Sequence, residues 1–405
     1  MPAYPHPPAP NARPTGKARL RSGLTHGLAW LARGDSGLPP RPTQLATARI
    51  LIIRPDHLGD LLFLGPALHW LRAHLPQAHI ALAIGPWGAP ALPGLAGAYD
   101  ELIEIPFPAF ERGPRAGAVG RWQALAQWAR RLRARHYDIA LIARPDHWWG
   151  AMLARFAGVP FRLGFATPET TPWLTRALPV VREHAAASNL RLVASLTNQS
   201  LLPDPLTHPL RFQLSSRHVG EADRLLLDIF GVDDVHPLVV VHPGSGAAVK
   251  LWEPEKWREI VRRLDAAGAR VLVTGGANET ALTRVVAAVP SGNVIDLGGQ
   301  TSFSELAALL HRADAVLGPD SGPLHLAVAV GTPTVHLYGP ADAVVFGPWG
   351  EPARHQVIRS AWACAPCGKF RLARPARSWL CARYSGGDGV AGRSQTPASY
   401  GIMPV

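Results

Sequence analysis

A chain of 405 residues is too long for one ordinary hydrophobic core and predicts two domains plus tails. Its apolar share of 47% suffices for buried sheets, yet no run of about 18 consecutive residues is apolar, which excludes a membrane-spanning helix. Lysine and arginine number 41 against 29 acidic residues, a formal charge of +12 that favours anionic partners. The bases are arginines scattered over many helices, with no basic block interleaved with aromatics, so no nucleic-acid partner is expected.

In chain order, residues 1–47 are rich in Pro, Gly and Arg and predict a disordered basic arm. Met1 to Pro14 is proline-rich, and Gly23 to Ala32 is short and interrupted by Thr25 and His26. Neither resembles a signal peptide, so a cytoplasmic location is expected. The three cysteines, an odd number, fit a reducing compartment.

Residues 48–200 alternate strand and helix patterns. A strand at Ala48–Arg54 precedes a helix over Leu58–Leu75, ended by Pro76. Strands follow at Ile80–Ile84, Glu101–Ile105, Asp138–Ala143 and Phe161–Phe165. A long helix is expected over Gly117–His136 and a shorter one over Trp148–Ala157. Residues 201–234 predict a linker and a connecting helix, Val219–Phe230. A second alternation fills residues 235–350, with strands at Leu238–His242, Arg270–Thr274, Val294–Leu297, Ala313–Leu317 and Thr334–Tyr338. Strands alternating with helices imply parallel sheets covered on both faces, so the fold class is α/β with two doubly wound domains facing a cleft. Ligands are expected at the carboxyl ends of the strands. Residues 351–405 predict an irregular tail carrying Cys364-Ala-Pro-Cys367 and Cys381.

The chemistry gathers at strand ends. After the first strand comes Arg54-Pro-Asp-His-Leu-Gly59-Asp60. Gly59 is expected to turn the chain into the helix. Asp60 falls in the first helical turn, where the dipole favours a carboxylate, and is placed to act as a general base or simply to start the helix. Arg144-Pro-Asp-His147 echoes Arg54-Pro-Asp-His57, and both loops directly follow strands. In the second domain, His242-Pro-Gly-Ser245-Gly246 leads to Lys250, and Asp320-Ser321-Gly322 opens a helix carrying His325. Free N–H groups, a hydroxyl and a lysine at helix starts form an anion cradle suited to a diphosphate.

Taken together, these motifs resemble glycosyltransferase family 9, the ADP-heptose:lipopolysaccharide heptosyltransferases. The matching landmarks are R-x-D-x-L-G-D (54–60), H-P-G-S-G-x-x-x-K-x-W (242–252), G-G-x-x-E (275–279), and D-S-G-x-x-H with G-T-P and L-Y-G-P behind it (320–340). The resemblance implies the GT-B architecture of two Rossmann-like domains. It also implies inverting transfer of a heptose or related sugar from an ADP-sugar to a glycan hydroxyl, with Asp60 as the base. Ser245 and Lys250 would contact the donor diphosphate and Glu279 the adenosine. Asp320, Ser321, Gly322 and His325 would hold the sugar and diphosphate. Arg54, Gly59, Arg144 and His147 would lie on the acceptor side. The acceptor would be an anionic lipid-linked saccharide, reached by peripheral attachment at the inner face of the inner membrane. No cofactor or obligatory metal is expected. The alternative is a nucleotide-sugar-binding protein of the same fold with impaired turnover.

Overall fold

The computed structural model describes residues 41–108, 110, 118–197, 199, 201–231, 235–360, 365–368 and 402–404. The expected N-terminal arm up to residue 40, Cys364, Cys381 and tail residues 361–364, 369–401 and 405 lie outside them. The chain separates into two compact units that divide at His208 and Pro209.

The first unit is built on six parallel strands in the order β3-β2-β1-β4-β5-β6. These are β1 (Arg49–Arg54), β2 (His79–Ile84), β3 (Glu101–Glu104), β4 (Ile139–Ile142), β5 (Phe161–Phe165) and β6 (Arg176–Leu178). Strand β1 is central. Its residues Ile50, Leu51, Ile52 and Ile53 are all buried because helices cover both faces of a parallel sheet. Each such side chain contributes about 1.5–3 kcal/mol by leaving water.

Helix prediction fails at one informative place. The expected helix over Leu58–Leu75 is two helices, α1 (Leu58–Leu62) and α2 (Gly65–His74). Pro66 has no N–H to offer the Leu62 carbonyl and its ring crowds that oxygen, so the first helix stops and a new one starts. Gly59 is correspondingly helical rather than a turn residue: α1 begins one residue earlier, and the Gly59 carbonyl accepts from the Phe63 N–H at 3.1 Å. Further along are α3 (Ala118–Arg133), α4 (Trp148–Phe156) and α5 (Ala185–Thr197), the last without a sequence-based expectation.

The second unit repeats the topology. After helix α6 (Ser216–Phe230), strands β7 (Leu238–Val241), β8 (Arg270–Val273), β9 (Val294–Asp296), β10 (Ala315–Pro319), β11 (Thr334–Tyr338) and β12 (His355–Arg359) pair in parallel in the order β12-β11-β10-β7-β8-β9. A three-residue segment, Ile402–Pro404, pairs antiparallel along β12. The ordered sheet therefore runs past residue 350. Strand β12 was missed because only His355 and Val357 of its residues are buried, too few to raise an apolar run. The connecting helices are α7 (Pro254–Ala266), α8 (Thr280–Val286), α9 (Phe303–Arg312) and α10 (Gly322–Ala329). Helix α9 starts with a reciprocal cap, in which Ser302 accepts from the Glu305 N–H and Glu305 from that of Ser302.

In each unit the strand order reverses beside the first strand, between β1 and β4 and between β7 and β10. Connections leave in opposite directions there, which opens a crevice at the carboxyl ends of the two strands. The motif loops at residues 54–60 and 144–147 flank the first reversal. Those at residues 242–250 and 320–325 flank the second. Among the described residues, no helix is long and apolar enough to cross a membrane.

Candidate active site

At the first reversal, the echoed Arg-Pro-Asp-His loops meet. Ile53 pairs with Ile142, which sets Arg54 beside Ala143 and brings together residues far apart in sequence. Arg54 is fully buried. Its guanidinium donates to the Ala143 carbonyl and, at 3.4 Å, to Asn189 Oδ1, forms an ion pair with Asp56 at 2.6 Å, and reaches Asp60 Oδ1 at 3.3 Å. Asp56 also binds Arg144, which donates in turn to both oxygens of Asp146 at 2.5 and 3.1 Å. Asp60, Arg54, Asp56, Arg144 and Asp146 thus form an alternating chain of charges. The Asp60 side chain is 19% exposed at one end and that of Asp146 25% at the other.

Burial alone would raise the Asp56 carboxyl, but the Arg144 and Arg54 cations outweigh it and hold the group below its usual range. Arg144 is held above its ordinary value: burial disfavours its charge, and Asp56 and Asp146 more than compensate. Asn189 Nδ2 donates to the Phe63 carbonyl at 3.0 Å, so one amide ties Arg54 to the end of the helix that carries Asp60. The break before α2 leaves that carbonyl available. Asn189 carries no sequence signal, because it lies inside a helix without a motif.

His147 is buried, with its ring edge-on to Phe107 and Phe110 at 5.1 and 5.5 Å. Neither ring nitrogen has a hydrogen-bond partner among the described residues. Burial, with the Arg144 and Arg54 cations, pushes it down to about 3 against the attraction of Asp56. It is therefore a neutral ring packed in an aromatic nest. Arg54 and Arg144 are likewise enclosed, and of the acceptor-side candidates only Gly59 is partly accessible.

At the second reversal, Asp320 directly follows β10, and Ser321 takes the N-cap position of α10 without a side-chain capping bond. Lys250 Nζ lies 2.5 Å from Asp320 Oδ2, and His325 Nε2 lies 3.3 Å from Asp320 Oδ1. Ser245 Oγ donates to the Asp320 carbonyl at 3.0 Å. Burial would raise Asp320, yet Lys250 and His325 hold it well below the usual carboxylate range. The Ser321 hydroxyl is buried at the helix start without a partner among the described residues, and Gly322 begins the helix beside it. Such a hydroxyl costs about 1–3 kcal/mol until something bonds to it.

Glu279 stands against the same loop from the β8 side. Its carboxylate accepts from the Gly276 N–H at 2.8 Å and packs so closely on Gly244 that a Cβ there would overlap it. His242 Nε2 approaches it at 4.0 Å; burial lowers this histidine, against the attraction of Glu279, and its Nδ1 lies 3.1 Å from Thr274 Oγ1. All the expected donor residues therefore border the loop of residues 242–250 or the start of α10. Behind them lies a polar ladder that sequence reasoning did not find. The His336 ring is 5.8 Å from that of His325, and Thr334 Oγ1 bridges His336 Nε2 at 2.8 Å and His355 Nδ1 at 2.9 Å. The Thr334 hydroxyl has one proton and can donate to one of the two rings at most, so at least one histidine presents an N–H to it. Among the described residues no three His, Cys, Asp or Glu side chains cluster as a metal site.

The sequence profile of glycosyltransferase family 9 (heptosyltransferase) matches residues 125–372. The chain is 25% identical over 323 residues to lipopolysaccharide heptosyltransferase 3 of Escherichia coli, covering 75% of this chain and 89% of that protein. It is 28% identical over 322 residues to lipopolysaccharide heptosyltransferase 2 of Salmonella typhimurium, covering 77% and 88%. Among solved structures, it resembles a family 9 glycosyl transferase from Veillonella parvula with a TM-score of 0.65 at 23% identity, over 78% of this chain and 87% of that one. The ADP-heptose lps heptosyltransferase II of E. coli superposes with a TM-score of 0.60 at 23% identity, over 76% and 90%. The two doubly wound units are those of the GT-B fold, and the chain belongs to glycosyltransferase family 9, the heptosyltransferase family, as a glycosyltransferase.

Proposed function

We propose that this glycosyltransferase moves a heptose or closely related sugar from an ADP-sugar to a hydroxyl of a lipopolysaccharide-type glycan, with inversion at the anomeric carbon. The observation that carries the donor half is the buried Ser321 hydroxyl at the start of α10, without a partner among the described residues and directly after Asp320, which Lys250 pairs with. A helix start with free N–H groups, a hydroxyl and a lysine is suited to the oxygens of a diphosphate. The names of the relatives support the same donor and acceptor classes.

In the reaction, the acceptor hydroxyl oxygen bonds to the anomeric carbon while its proton passes to Asp60. The bond from that carbon to the distal phosphate oxygen breaks, and ADP leaves with the electron pair. Asp60 suits the role because one oxygen is tied to Arg54 while the side chain keeps an accessible face. Lys250, Ser321 and the helix N–H groups stabilise the charge that grows on the leaving diphosphate. Glu279, beside Gly244 and His242, contacts the adenosine. Arg54 and Arg144, being enclosed, act on the acceptor side through Asp60 rather than by touching the glycan.

The acceptor is lipid-linked and anionic, and the protein attaches to its membrane peripherally. Helix α3 supplies charge for this: it has no acidic residue, and Arg121, Arg130, Arg131 and Arg133 are exposed beside the half-exposed Trp122. Each such cation near an anionic surface contributes about 1 kcal/mol. Co-sedimentation is expected with anionic and not neutral vesicles, and to fall as salt rises; equal pelleting with both would remove this part.

The activity is tested by ADP release from a panel of nucleotide sugars, with mass spectrometry of the product. Release from ADP-heptose that requires acceptor is expected. Tight nucleotide-sugar binding without turnover would favour a binding protein of the same fold.

A further inference from the structure

The charge chain at the first strand reversal contains more than a base needs to be held in place. Asp60 meets Arg54, a cation that by itself makes a carboxylate a poorer proton acceptor. Arg54 is bound on its far side by buried Asp56, and Asp56 is shared with buried Arg144. Arg144 is also within electrostatic reach of Asp60, and Asp146 binds it from the outer end. The signs alternate, so each member moves the potential at Asp60 in a known direction. We infer that Asp56 and Arg144 are positioning residues that set the basicity of Asp60 through Arg54, Asp56 raising it and Arg144 lowering it.

The geometry makes this transmission stiff. Arg54 is also fixed by the Ala143 carbonyl and Asn189, and Asn189 fixes the Phe63 carbonyl at the end of α1. A change of charge at Asp56 is therefore felt at Asp60 as a potential with little room for side-chain rearrangement. In this low-dielectric surrounding, a unit charge several ångströms away is felt far more strongly than in water. The Asp56–Arg144 pair is fully ionised, since each group is shifted toward its charged form. The other titratable groups nearby are His57, 5.8 Å from the Trp87 ring, His184, edge-on to Phe63 at 4.9 Å, and neutral His147 behind Asp56. The pairing of two Arg-x-Asp loops across one strand reversal supplies the device. It rests on the reading of Asp60 as the base.

The test is the acidic limb of the kcat/KM profile, which reports the base in the free enzyme. Asp56→Asn removes an anion without changing shape and is expected to move the limb down by about one pH unit. Arg144→Gln removes a cation and is expected to move it up by a similar amount, while Arg144→Lys leaves it in place. Asp146→Asn, at the more exposed end, moves it down by a smaller amount and serves should the buried variants fail to fold. Limbs that move in the same direction for all variants, or not at all, overturn the inference. If Asp60→Asn keeps the wild-type rate, the base assignment fails instead, and the two failures are told apart.

Discussion

The two units share one topology and place their polar loops at the same point of it, yet they fill that point in opposite ways. At the first reversal, arginines and carboxylates satisfy one another, and Asp60 is the partly open carboxylate at the inner end of the chain. At the second, a buried hydroxyl has no partner among the described residues, and a lysine sits over a single carboxylate at a helix start. A site that performs proton transfer gains from a fixed carboxylate, because geometry and basicity must be set beforehand. A site that receives a diphosphate gains from donors that stay unspent until it arrives. Under the proposed function, each unit turns its own copy of this crevice to one of these uses, and the residues decide which.

The largest effect expected to break this contrast is at Asp60. Asp60→Asn is expected to lower kcat by roughly 10²- to 10⁴-fold with donor affinity nearly unchanged. Single-turnover rates with calorimetric ADP binding check it, and a near-normal kcat would reduce Asp60 to a helix-start carboxylate. On the donor side, Lys250→Ala is expected to lower kcat by about 10²- to 10³-fold and to weaken ADP binding by less, since leaving-group charge peaks in the transition state. Unchanged ADP affinity would confine the lysine to its pairing with Asp320.

Acid sharpens the contrast through stability. His147 is held at about 3, below its ordinary 6.5, so below pH 6.5 the unfolded chain takes up a proton that the folded one refuses. Stability is then lost as pH falls through that window, at about 1.4 kcal/mol per pH unit for one such histidine. His355, pushed down to about 4 by burial and Arg354, acts the same way over a narrower range. Urea unfolding at several pH values is expected to show a shallower acid dependence for His147→Phe than for the wild type. Equal slopes would show that the ring is protonated in the folded protein.

The smallest effect concerns the open hydroxyl. Ser321→Ala removes an unpartnered group, so the free protein is expected to be no less stable, while ADP binding weakens by about 0.5–1.5 kcal/mol. A drop in stability with unchanged ADP affinity would mean that the hydroxyl is already bonded in the free protein, and the contrast between the two crevices would narrow.

Much of this was legible in the sequence because the physics involved is local. Apolar runs such as Ile50–Ile53 and Leu238–Val241 mark strands buried on both faces, and loops rich in Gly, Ser and Asp mark the strand ends where helices begin. Hence the α/β class and the setting of Asp60, Lys250 and Asp320 all follow from short windows. Tertiary structure alone decided which strand ends became neighbours. The union of Asp56 with Arg144, 88 residues apart, requires β1 to pair with β4 across a reversal of strand order. No window contains that pairing, so an echo of two Arg-Pro-Asp-His loops could be noticed but not joined. Asn189, the ladder from His336 through Thr334 to His355, and the burial of Arg54 and Arg144 share this character. Each is a polar group whose role is set by partners that folding brings to it, since a buried charge or amide is stable only where the rest of the fold answers it.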